Sequence, residues 1–177
     1  MRPFLDRLYL AGGALGAVFI ALIALLMIGQ SVLREFRVNT GAVNDVVAWL
    51  CAAASFFAMA HAFKHGDFVR VTLLLNSVGT RTRRVLELGS LAIASVAVGY
   101  LALSACRFTY ESWEFNDIAQ GLLPIPMWIP QLSFALGSLL LLVAVLDELV
   151  IVLRGGVPTF VREVAERHAR GDFSSEI

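Results

Sequence analysis

Residues 9–33 read YLAGGALGAVFIALIALLMIGQSVL, with no Asp, Glu, Lys or Arg anywhere in the run. A bilayer core is roughly 30 Å thick and takes about 20 apolar helical residues to cross. Hydrocarbon offers no partner to a backbone N–H or C=O, so a run of this kind satisfies those groups only as a helix. The run exceeds the apolar segment of about 7–15 residues found in a signal peptide, and no convincing small-residue cleavage site follows it. It therefore reads as an uncleaved first span. Three more runs free of Asp, Glu, Lys and Arg follow: Val46–Phe63, Leu88–Cys106 and Ile118–Leu146.

Composition agrees. The chain of 177 residues is 58% hydrophobic and 16% charged, with a mean hydropathy of +0.77, whereas soluble domains carry about 25% charged residues. Four spans leave no room for a soluble catalytic domain, which needs at least about 50 residues. The formal net charge of zero argues against a nucleic-acid partner. Cys51 and Cys106 lie inside apolar runs and read as small packing residues, since a disulfide framework or zinc site needs more cysteines.

The expected fold is all-α: a polytopic membrane protein with four transmembrane helices plus interfacial amphipathic helices. The transmembrane domain covers about 1–157, with spans near 9–33, 46–63, 88–106 and 127–148. The fourth run opens with Pro124, Pro126 and Pro130, which cannot continue a regular helix. It is expected to turn helical near Pro130, where proline suits a first turn. An interfacial helix is expected at about 66–80, with Phe68, Val71, Leu74, Leu75 and Val78 on one face and a basic end as anchor. Residues 158–177 read as an amphipathic tail, with a start signal at Pro158–Thr159.

Basic residues concentrate in cytoplasmic loops of membrane proteins. Here eleven of the 14 Lys and Arg fall in the two tails and the 64–84 connection, against three (Arg34, Arg37, Arg107) in the other two loops. Both termini are expected to be cytoplasmic. Trp49, Trp113 and Trp128 all fall near the predicted outer interface, as an aromatic belt does.

Ionisable residues buried in a bilayer mark transport paths by default. None lies in span one or in the centre of span two. Asp45, His61, Lys64, Glu87, Asp147 and Glu148 all sit near span ends, from which long side chains reach an interface. His61 and His65 can share a helix face, with Asp67 nearby, but that spacing alone is a weak metal signal. No cofactor or metal is expected, and no convergent nucleophile and base points to an enzyme. Glu111, Glu114 and Asp117 form an acidic outer patch, either a solvated loop or a contact for a basic partner, with Arg107 pairing inside it. Gly12 and Gly16 form a small-xxx-small pair, and Ala135, Gly137 and Ser138 a similar patch. Both permit close helix approach, within the chain or against another subunit.

Two segments carry a resemblance. GDFVRVTLL at 66–74 follows span two, and PMWIP at 126–130 precedes Gly137 and a leucine-rich run. In order and spacing the chain resembles the small membrane subunit (DctQ type) of tripartite ATP-independent periplasmic (TRAP) transporters, over roughly Leu10–Leu153. Phe68 stands where that family often has His, and Thr72 where it often has Asp. The resemblance implies a non-catalytic scaffold in a bacterial inner membrane. Its partners would be a separate, larger membrane subunit that carries the substrate and sodium sites, a periplasmic substrate-binding protein, and lipid. Expected interface residues are Gly12, Gly16, Arg70, Glu111, Glu114, Pro126, Trp128, Pro130 and Gly137. A self-contained small transporter and a membrane anchor for another complex stay open at this point.

Overall fold

The computed structural model describes residues 2–66, 79–156, 158–159 and 161–162. Four helices account for most of them: α1 (Arg2–Glu35), α2 (Ala42–His65), α3 (Thr80–Glu114) and α4 (Trp128–Leu153). All four are long and apolar enough to cross a membrane. Even α2, with 24 residues, rises about 36 Å.

The helices outrun the apolar runs that announce them. α1 begins at Arg2 rather than near residue 9, α3 extends both ways from 88–106, and α4 continues past 148 to Leu153. Hydropathy marks only the apolar part. Backbone hydrogen bonding carries the helix on into polar surroundings, where Arg83 and Glu87 of α3 close an i,i+4 ion pair of 3.0 Å.

Local chemistry sets the ends. Gly66 stops α2 in the left-handed region at φ 77°, its N–H returning to the carbonyls of Ala62 and Phe63, which is the glycine-dependent helix stop. Between α1 and α2, Gln30 Nε2 donates to the Thr40 carbonyl (3.4 Å) and to Asn44 Oδ1 (3.1 Å). The connection from α3 to α4 folds into a narrow hairpin. Ala119 N–H donates to the Ile125 carbonyl (2.9 Å) and Met127 N–H to the Asp117 carbonyl (2.8 Å). Pro126 faces Ile118 between those two bonds, a position that needs no N–H and so tolerates proline. α4 then starts at Trp128, with Pro130 in its first turn, as the prolines imply.

Packing runs in the order α1–α2–α4–α3. α1 packs on α2, α2 on α4, and α4 on α3. α2 and α4 both start at the end that carries the α1–α2 and α3–α4 connections (the loop end), so they run parallel. The opposite, terminal end holds the chain N-terminus. The core is built from small residues: Ala53, Ala54, Ala60, Ala102, Ala105, Ala135 and Ala144 are all buried. Large apolar side chains such as Leu25, Ile93, Val96 and Tyr100 point outward. That inversion of a soluble core is what lipid contact requires, since helices in lipid associate by close packing rather than by a hydrophobic drive. Cys51 also lies on the bare surface, not in a packed interior.

The expected interfacial helix at 66–80, Arg70 included, falls on residues 67–78 and so lies outside the described residues. So does the tail beyond Arg162. At the tail's start, Val161 and Arg162 N–H groups return to the Pro158 carbonyl (3.1 and 3.3 Å), the opening of a helical turn.

Candidate functional site

The small-residue patches are occupied by the chain itself. A methyl group at Gly12 would lie 2.9 Å from the Phe57 carbonyl oxygen, and one at Gly16 3.1 Å from that of Ala54. Gly13 backs onto the His61 ring. At Gly137 a methyl group would come within 2.6–2.8 Å of Phe56, while Phe56 and Phe134 meet edge-to-face at 4.4 Å beside it. Gly12, Gly16 and Gly137 are therefore joints between α1 and α2 and between α2 and α4. Of the two placements the sequence leaves open, packing within the chain is the one seen at these three glycines, with α2 filling each patch.

The loop end gathers the remaining expected residues. Glu111 and Glu114 are exposed on the last turns of α3, Pro126 is exposed on the hairpin, and Trp128 and Pro130 are half-buried where α4 begins. Trp49 and Trp113 lie toward the same end. One carboxylate fixes the arrangement. Asp45 Oδ2, in the first turn of α2, accepts the Leu122 N–H at 2.9 Å, and a side chain at Gly121 would collide with that carboxylate. Thr109 Oγ1 bridges the Ala105 and Gln131 carbonyls (2.9 and 3.4 Å), seaming α3 to α4. Beside that seam runs a groove of about 410 Å³ lined by Ser104, Ala105, Arg107, Phe108, Glu111 and Phe134. Arg107, expected to pair within the loop, forms no ion pair among the described residues.

The terminal end is polar and closed. Lys64 Nζ meets Asp6 Oδ1 at 2.5 Å and sits 4.7 Å above the Tyr9 ring, which is buried against Ala60 and Ala144. Glu148 is 1% exposed. Its side chain is enclosed by the protein and not extended into the surroundings. Its Oε2 accepts the Thr159 N–H at 2.9 Å, turning the chain back under the helices, where Val161 packs by Leu91 and Val152. His61 and His65 do share a face, their rings 4.1 Å apart.

Asp45 and Glu148 are thus structural acceptors that span-by-span reading passed over. One signal for Glu148 was present. A helix start at Pro158–Thr159 leaves free N–H groups that need an acceptor. Asp45 gave none, because its partner is a backbone amide 77 residues away in sequence.

Between these ends, the middle of every helix is free of Asp, Glu, Lys and Arg. Four apolar helices with outward-facing large side chains define a multi-pass membrane protein. Over residues 8–155 the chain matches the family of tripartite ATP-independent periplasmic transporters, DctQ component, and it belongs to that family. It is a TRAP transporter small membrane subunit. No curated protein matches the chain.

Proposed function

We propose that this chain is a non-catalytic scaffold. It binds a large membrane subunit and helps dock a periplasmic substrate-binding protein during sodium-driven uptake of organic acids. It sits in the bacterial inner membrane with both termini cytoplasmic, so that the loop end faces the periplasm.

The observation that carries this reading is the lack of any charged side chain in the middle of the four helices. Ionisable groups at depth are the usual mark of a path that couples an ion to a solute. The buried carboxylate, Glu148, lies near the end of α4 and is bound to a backbone amide. A moving transport domain needs a stationary body that resists being dragged, and an open row of helices stapled at both ends suits that task. Glu111, Glu114, Pro126, Trp128 and Pro130 stand together at the loop end, where a soluble partner with a basic surface finds complementary charge.

The test is co-purification. Tagged chain expressed with a large TRAP membrane subunit from the same genome is expected to emerge as a stoichiometric complex, one copy of each. Recovery of the chain free of that subunit, as a stable assembly of its own copies, contradicts the proposal.

A further inference from the structure

We infer that the groove between α3 and α4 at the loop end is a binding site for a phospholipid whose headgroup carries both a phosphate and a primary ammonium, the phosphatidylethanolamine class.

Two charges on α3 fail to meet. Arg107 and Glu111 are four residues apart on α3, a spacing that brings helix side chains together. In the same helix Arg83 and Glu87, with the same order and spacing, close to 3.0 Å. Arg107 and Glu111 form no such bridge, and both line the groove instead. A groove that presents one cation and one anion, each without a partner among the described residues, complements a ligand bearing one of each.

Depth is fixed by the flanking residues. The apolar run of α3 ends at Cys106, and Arg107 is the first charge beyond it. On the next turn the exposed rings of Tyr110 and Trp113 lie 6.0 Å apart, an aromatic pair of the kind that sits at headgroup level. The groove therefore opens at the height of lipid phosphates. Ala105, Phe108 and Phe134 give it an apolar floor and walls for the start of an acyl chain. The Ser104 hydroxyl, which makes no hydrogen bond to the described residues, adds a donor beside Arg107.

Headgroup class follows from charge. Arg107 is the sole basic residue between Cys106 and Arg154, whereas Glu111, Glu114 and Asp117 crowd the same end. A purely anionic headgroup gains Arg107 and meets three carboxylates. An ethanolamine phosphate gains Arg107 through its phosphate and Glu111 through its N–H donors. A choline headgroup has the charge but no N–H to donate.

The experiment uses the full chain, purified in mild detergent and offered phosphatidylethanolamine, phosphatidylglycerol or phosphatidylcholine with identical acyl chains, with bound lipid counted by native mass spectrometry. One ethanolamine lipid per chain is expected, favoured over the other two by about fivefold, the upper range for one exposed ion pair. Arg107→Gln is expected to lower its occupancy by about fivefold, with Arg107→Lys in between. Glu111→Gln should abolish the preference among the three headgroups while leaving binding that still depends on Arg107. Both sites are exposed, so circular dichroism and melting should match wild type. Equal occupancy of all three lipids by the wild-type chain overturns the inference, as do variants that bind like wild type. So does a groove that binds none of them and becomes protected from hydrogen exchange only in complex with the large subunit.

Discussion

The carboxylate of Asp45 accepts the backbone N–H of Leu122 at 2.9 Å, so the first turn of α2 holds the tip of the α3–α4 hairpin. This bond ties two helical hairpins together at the end where a soluble partner is proposed to dock. Asp45→Ala removes a charged acceptor from a half-buried site. We expect a loss of about 1–2 kcal/mol, read from unfolding in mixed micelles, and faster hydrogen exchange at Leu122 while the amides of α4 keep their protection.

The glycine joints make a graded series. Gly137→Ala pushes a methyl group against the Phe56 backbone, which has nowhere to go without moving α2 off α4. A cost of about 2–3 kcal/mol is expected, within the range for overpacking. Gly12→Ala, at 2.9 Å from a single carbonyl oxygen, should cost less. Gly29 has nothing within 4 Å of the same position, so Gly29→Ala should be neutral or slightly stabilising through helix propensity. Thermal melts of the three variants in one detergent test the order.

Glu148 holds the tail. Glu148→Ala leaves the Thr159 N–H without its acceptor and costs about 1.5 kcal/mol, roughly a tenfold rise in the detached population. Limited trypsin cleavage after Arg162 should accelerate by that factor. Glu148→Gln keeps an acceptor oxygen and should fall between the two.

Lys64 has two partners at the terminal end and Asp6 has one. Asp6 is more than half exposed, so solvent screening reduces its pair with Lys64 to about 0.5 kcal/mol. Lys64→Ala also loses the contact with the Tyr9 ring and should destabilise more than Asp6→Ala. The difference of about 0.5–1 kcal/mol should persist at high salt more than the ion pair does, as a double-mutant cycle would show.

What could be read from residues alone divides by range. The four helices announce themselves because each satisfies its backbone internally and must be apolar along its length. The start beside Pro130 is local backbone chemistry and stands where the prolines imply. The left-handed stop at Gly66 is equally local but went unread, since Gly66 is expected at the start of the interfacial helix. The order α1–α2–α4–α3 is not local, and nothing in the 9–33 run says that its glycines meet Phe57 and Ala54 rather than a foreign helix. Asp45 and Glu148 escaped for the same reason: each is defined by a backbone amide contributed from elsewhere. Arg107 misled in the other direction: it was expected to pair within the acidic loop, yet it forms no ion pair among the described residues.

The central claim is that this chain braces a transporter and does not itself move solute. Its most direct test is sodium-gradient-driven uptake into liposomes supplied with the binding protein and a labelled organic acid. Three preparations are compared: the chain alone, the large subunit alone, and the two together. Uptake is expected with both subunits, and only background flux with this chain alone. Gradient-driven uptake in liposomes that contain only this chain would contradict that claim.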